Sequence, residues 1–164
     1  PRELELPEDG VLRIRPLREL KKLREGEQSW TGLTVKGGAE YALDSVRGDA
    51  VELEITFAAP LPEECGLHLL AGADGEAGMS VIAGANRTTL QVGDIPAPLE
   101  LKDNEDLVLR IFIDKNLVEV FANDRQAVAF AHEQIRDNPN LRVFSKGGDA
   151  VIESLKAWKM KTIY

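Results

Sequence analysis

Cysteine is nearly absent: Cys65 alone occurs in 164 residues, which excludes an intramolecular disulfide framework and a thiolate-rich zinc site. Histidine is almost as scarce. His68 and His132 lie far apart in sequence, so a three-histidine metal centre is excluded, and neither falls in a nucleophile motif. Basic residues number 20 against 28 acidic ones, and the net charge of -8 argues against nucleic acid and anionic membrane as partners. No run approaches the roughly 20 apolar residues that a bilayer-spanning helix needs, and no basic-then-apolar leader opens the chain. Gly72, Gly75, Gly78 and Gly84 form a glycine-rich patch, but no Gly-Lys-Ser/Thr follows, which excludes a phosphate loop and leaves turns. Only nine aromatic residues occur, few for a surface that stacks on sugar rings.

What is present is ordinary globular composition, 43% hydrophobic and 29% charged, at a length that suits one domain with a substantial core. Period-two alternation dominates from Leu33 onward. In Val51-Glu52-Leu53-Glu54-Ile55-Thr56-Phe57 the apolar set faces inward, and Glu52, Glu54 and Thr56 are expected in solvent. Further strands are expected at 67–71, 79–83, 88–92, 126–131, 141–145 and 150–160. Turn chemistry separates them at Ala73-Asp74-Gly75, Gly84-Ala85-Asn86, Asn123-Asp124, Asn138-Pro139-Asn140 and Gly147-Gly148. Many short strands with turns every 8 to 12 residues or so predict an all-β fold, a two-sheet antiparallel sandwich of jelly-roll type. Leu155 is out of step with Trp158 and Met160, which predicts a bulge or a strand buried on both sides. The stretch Asp94-Ile95-Pro96-Ala97-Pro98-Leu99 reads as an irregular loop.

The stretch from Leu107 to Asn123, LVLRIFIDKNLVEVFAN, reads as a β-hairpin. A two-residue turn at Asp114-Lys115 would set Ile111 opposite Val118, Leu109 opposite Val120, and Arg110 opposite Glu119 as a cross-strand ion pair. Slipping by one residue would bring Ile111 against Glu119. This hairpin resembles the C-terminal β-sandwich module of glycoside hydrolase family 32, the invertases, inulinases and levanases. The pattern there is an apolar strand, Asp, a basic residue, Ser, then Val-Glu-Val-Phe, any residue, Asn. The chain keeps Asp114, Lys115, Val118, Glu119, Val120, Phe121 and Asn123, and has Asn116 in place of Ser. Arg110, Asp114, Glu119, Phe121 and Asn123 are therefore taken as a structural signature.

The opening is similar to the same family: Pro1-Arg2-Glu3-Leu4, Asp9-Gly10, and Arg15-Pro16-Leu17-Arg18-Glu19-Leu20 ending Leu23-Arg24. Extended chain with a turn at Pro7-Glu8-Asp9-Gly10 is expected up to Pro16, then a short amphipathic helix ending near Gly26, with Leu17, Leu20 and Leu23 on one face. The resemblance implies a linker at 1–26 leaving a five-bladed catalytic propeller and a sandwich at 27–164. The leucine stripe then lies at the domain seam, or else covers the sandwich core. The close, Leu141-Arg142-Val143-Phe144 through Gly147-Gly148 to Leu155, Trp158 and Ile163, resembles the last strands of that module. Between Leu61 and Leu101 the likeness is weak, with Gln91-Val92-Gly93-Asp94 where an Asp-Arg pair is usual. A start at Pro1 rather than Met leads us to expect a fragment of a longer protein.

Glycoside hydrolysis needs two carboxyl groups roughly 5 to 10 Å apart across a sugar pocket. The family's Trp-Met-Asn-Asp-Pro-Asn-Gly and Arg-Asp-Pro motifs are absent. Glu64-Cys65 matches its Glu-Cys dipeptide only by coincidence, within a turn at Pro62-Glu63-Glu64-Cys65-Gly66. Asp103-Asn104-Glu105-Asp106 lacks the spacing of a calcium loop and reads as a solvated acidic turn. Asn86-Arg87-Thr88 matches a glycosylation sequon. Trp30 is the candidate sugar-stacking residue, while Trp158 lies in an apolar strand. The expectation is a non-catalytic accessory module with no cofactor or metal, belonging to a parent that cleaves sucrose or fructans. It would stabilise the propeller and form an oligomer interface. The alternatives are a lectin-like carbohydrate-binding module and a free-standing interaction domain. Secretion of the parent rests on analogy alone.

Overall fold

The computed structural model describes residues 1–72, 78–132 and 140–161. The expected turns at Ala73-Asp74-Gly75 and Asn138-Pro139, and Ile163, lie outside the described residues. Fourteen strands are described: β1 (Arg2–Glu5), β2 (Arg13–Pro16), β3 (Arg24–Val35), β4 (Glu40–Ala42), β5 (Ala50–Phe57), β6 (Glu64–Ala71), β7 (Met79–Gly84), β8 (Thr89–Val92), β9 (Ile95–Pro98), β10 (Leu107–Asp114), β11 (Leu117–Ala122), β12 (Gln126–Ala131), β13 (Asn140–Lys146) and β14 (Ala150–Met160). They form two six-stranded antiparallel sheets packed as a sandwich, in the orders β12-β11-β10-β5-β14-β3 and β4-β13-β6-β7-β8-β9, and a separate β1-β2 pair.

The core lies between the inner faces, where alternation placed it. Leu53, Ile55 and Phe57 on β5, Leu109 and Ile111 on β10, and Val120 on β11 are fully or almost fully buried. Leu67 and Leu69 on β6, Val81 on β7, Leu90 and Val92 on β8 and Val143 on β13 belong to the same buried cluster. Each such side chain contributes about 1.5–3 kcal/mol, which together offset the entropy of ordering the strands. β14 lies between β5 and β3. Its expected irregularity is found twice: the register shifts against β3 between Ala157 and Lys159, and against β5 between Ile152 and Ser154, so Leu155 and Trp158 are both buried.

Several expectations are corrected here. The segment after Pro16 is a 3-10 helix at Arg18–Leu23 that ends before Gly26, because Arg24 already pairs with Met160 as the first residue of β3. The period of three in Leu17, Leu20 and Leu23 fits a 3-10 turn, where residues three apart eclipse. The Asp94–Leu99 loop is a strand: β8 and β9 form a hairpin closed by Gly93-Asp94, with Val92 paired to Ile95 and Gly93 at φ +59. Pro96 and Pro98 are tolerated because β9 is a sheet edge. β6 starts at Glu64, within the stretch expected to turn.

Candidate functional site

The hairpin β10-β11 sits inside the first sheet, flanked by β5 and β12. Its turn is Lys115-Asn116, not Asp114-Lys115: Asp114 pairs with Leu117, Phe112 with Glu119, Ile111 with Val120 and Arg110 with Phe121. The difference is a two-residue slip, which leaves every side chain on its expected face, so apolar patterning does not resolve it. Lys115 takes the left-handed conformation, φ +57, and its amide donates to the Asp49 carbonyl at 2.6 Å. The expected Arg110–Glu119 pair does not form. Arg2 donates through Nε to Glu119 Oε1 at 2.7 Å, and Arg110 turns to the opposite neighbour strand.

That neighbour is β5, and the group Arg110 meets is Glu52. Alternation places Glu52 on the outer face, yet it is 0% exposed rather than solvated. Phe112 and Trp158 are its register neighbours, one on each side. Arg24 clamps it from β3, with Nε to Oε2 at 2.8 Å and Nη2 to Oε1 at 2.6 Å, while Arg110 Nη2 reaches Oε1 at 2.7 Å. The Arg24 guanidinium lies 3.7 Å from the centroid of the Trp158 ring. Glu54 completes the group, 3.5 Å from Arg24 and 3.6 Å from Arg110. Burial pushes the Glu52 carboxyl up, but hydrogen bonds from Arg24 and Arg110 pull harder, so it stays ionised below the ordinary glutamate range. No motif within one strand announces this cluster, since sheet order brings its members together.

Asn123 fastens the far end of the hairpin. Its Oδ1 accepts from the Val108 amide at 2.9 Å, and its Nδ2 donates to the Asp106 carbonyl at 2.8 Å and to Glu105 Oε1 at 3.1 Å. It also holds φ +46, which asparagine tolerates better than most residues. The acidic turn is thereby committed to structure: Glu105 also accepts from Arg125 at 2.8 Å, and Asp106 from the Ala59 amide at 2.8 Å. Val108, Arg110, Phe121, Asn123 and Asp124 line a shallow depression of about 260 Å³ beside the hairpin. The β1-β2 pair borders it, joined to the sandwich by Arg15 Nε to Asp124 Oδ2 at 2.7 Å and by the Ile14 amide to the Asp124 carbonyl at 2.7 Å.

The other residues singled out from sequence lie elsewhere. Trp30, on edge strand β3, is half-buried against the core beside Leu155. Leu17, Leu20 and Leu23 are each half-buried and stand outside the core cluster. Glu64 pairs with Lys146 across the sheet, Oε2 to Nζ 3.3 Å. Cys65 is buried, which pushes its thiol up to about 12 and leaves it inert. Among the described residues no group of three or more His, Cys, Asp or Glu is placed to hold a metal.

A hairpin of this sequence, buried inside a two-sheet sandwich, is what a family comparison can decide. Residues 19–159 match the family described as glycosyl hydrolases family 32 C terminal. The chain belongs to that family. Among curated relatives it is 31% identical to the raffinose invertase of Escherichia coli over 98% of the chain and 34% of that protein. It is 26% identical to the levanase of Bacillus subtilis (strain 168) over 100% of the chain and 27% of that protein. The family 32 module thus spans about a third or less of the curated relatives it matches. Its fold is that of fructan 1-exohydrolase IIa from Cichorium intybus, with a TM-score of 0.82 at 17% identity over 99% of this chain and 40% of that one. Sucrose-6-phosphate hydrolase from Lactobacillus gasseri gives a TM-score of 0.75 at 24% identity, over 99% of this chain and 33% of that one.

Proposed function

We propose that the chain is the non-catalytic C-terminal module of a glycoside hydrolase that cleaves sucrose or fructans, and that it stabilises the catalytic propeller preceding it. The observation that carries this reading is the match of 19–159 to a C-terminal family region, in a chain that spans only 27% and 34% of its curated relatives. The paired carboxylates of hydrolysis belong to that preceding part. The surface bordering the linker suits docking. Leu4, Leu6, Val11 and Leu12 are 42–69% exposed on and between β1 and β2, a separate two-stranded sheet that would be marginal without its contacts to the sandwich. Leu17, Leu20 and Leu23, half-buried and outside the core cluster, supply further apolar surface within the linker expected over 1–26, whose last residues already belong to β3. The same module can supply contacts for a homo-oligomer at the substrate entrance.

Adding the chain in trans tests the reading. The catalytic portion of the parent, made without residues 1–164, is expected to melt at lower temperature and lose fructose-releasing activity, and added chain is expected to restore both. No association between the two parts would contradict a stabilising role.

A further inference from the structure

We propose that the outer face of the second sheet carries a binding site for a neutral oligosaccharide, centred on Glu40, His68, Ser80 and Arg142. Four adjacent strands supply these groups. Arg142 on β13, His68 on β6 and Ser80 on β7 are register neighbours in one row, and Glu40 on β4 stands in the next row, opposite Phe144. Arg142 Nη1 donates to Glu40 Oε2 at 3.1 Å, His68 Nε2 lies 3.5 Å from Glu40 Oε1, and His68 Nδ1 lies 2.8 Å from Ser80 Oγ. With the proton on Nε2 facing the carboxylate, Nδ1 accepts from the Ser80 hydroxyl, and both ends of the ring are satisfied. Phe144 stacks on the imidazole with centroids 4.4 Å apart at 15°, fixing its plane.

The cluster resembles a hydrolytic triad by composition, but hydrolysis does not follow. An acyl-transfer site needs backbone amides aimed at an oxyanion, and on a sheet interior those amides are committed to ladder bonds. What the cluster offers is held but reachable polarity. The side chains of Arg142, His68 and Glu40 are 26%, 33% and 43% exposed, whereas Glu52, on the outer face of the first sheet, is 0% exposed. Arg142 and Glu40 cancel one another's charge, so neither a phosphate nor a cation is favoured. Arg142 Nε is itself buried, so what a ligand can reach is the outer end of the guanidinium, whose Nη1 lies beside the Glu40 carboxylate at 3.1 Å. A sugar's vicinal hydroxyls, each both donor and acceptor, suit a donor and an acceptor set side by side in this way. Assigning fructan rather than glucan as the ligand rests on the fructosidase reading, while the site itself does not.

The test is titration of the 164-residue chain with 1-kestose and nystose, and separately with cellotetraose and maltotetraose, followed by calorimetry and by the His68 ring resonances in NMR. Saturable binding on the order of millimolar is expected with the fructans, weakened roughly tenfold or more by Arg142→Ala and by Glu40→Gln. Trp30→Ala should leave it unchanged. Unaltered far-ultraviolet dichroism separates loss of site from loss of fold, and Glu40, an exposed residue on an edge strand, guards against a misfolded Arg142 variant. Equal binding of the gluco-oligosaccharides would support the site and remove its fructan assignment. No saturable response to any of the four, or a response that both variants leave intact, would overturn the proposal. The fructosidase reading is judged apart from this, by whether the parent releases fructose.

Discussion

Removing the Glu52 carboxylate leaves Arg24 and Arg110 beside Trp158 and Phe112 with only the partly exposed Glu54, 3.5 and 3.6 Å away, to balance them. Breaking a buried charge group in this way costs about 3–5 kcal/mol, so Glu52→Ala should lower the urea midpoint more than any other single charge removal on the first sheet. The pH dependence follows from the same contact. Because the folded-state pKa of Glu52 is depressed, its stabilisation is fully present above the unfolded glutamate pKa and is lost as pH falls through the lower, folded value. Glu105 is depressed too, held against desolvation by Arg125, the Lys102 amide and Asn123, and adds in the same direction. The midpoint should therefore be flat above about pH 5 and fall steeply below about pH 4, with a shallower fall in Glu52→Gln. An identical acid profile in the variant would mean that the clamp does not hold in solution.

At the scale of elements, the β10-β11 hairpin is where patterning and turn chemistry divide the work. Its existence and its faces follow from the alternation in LVLRIFID and LVEVFA, since only an even register keeps Ile111 and Val120 inside. The choice between two even registers belongs to the turn, and neither Asp114-Lys115 nor Lys115-Asn116 carries the glycine that normally marks one. A double-mutant cycle distinguishes them. Arg110 and Glu52 should couple by about 1–3 kcal/mol, and Arg110 with Glu119 by nothing measurable, whereas strong Arg110–Glu119 coupling would restore the turn at Asp114-Lys115. The β8-β9 hairpin shows the reverse situation. Gly93-Asp94 is a two-residue hairpin signal in its own right, masked by Pro96 and Pro98, whose tolerance depends on β9 being an edge. The solvation expected for Glu52 failed for a third reason. Its cover comes from β3, β10 and β14, and no strand reports its neighbours in a sheet order that crosses the whole chain.

Across the whole molecule, the sandwich class, its core faces and its family were legible in strand alternation and in the residues from Asp114 to Asn123. The charged cluster and the polar face around His68 were not, because both are assembled from residues of strands distant in sequence. The linker leucines belong to this scale as well. Half-exposed in the chain alone, Leu17, Leu20 and Leu23 should cost less than about 1 kcal/mol each when changed to serine there. In the full-length parent the triple variant should instead lower the melting temperature, measured by calorimetry, and an unchanged value would remove these residues from the seam.

Fructose release measures directly the proposed division of labour, in which the module assists catalysis performed by another part of the protein. The purified 164-residue chain and its full-length parent, assayed side by side with sucrose, inulin and levan, should divide cleanly: release by the parent, none by the chain. Release by the chain alone, abolished by Glu64→Gln, would contradict the account.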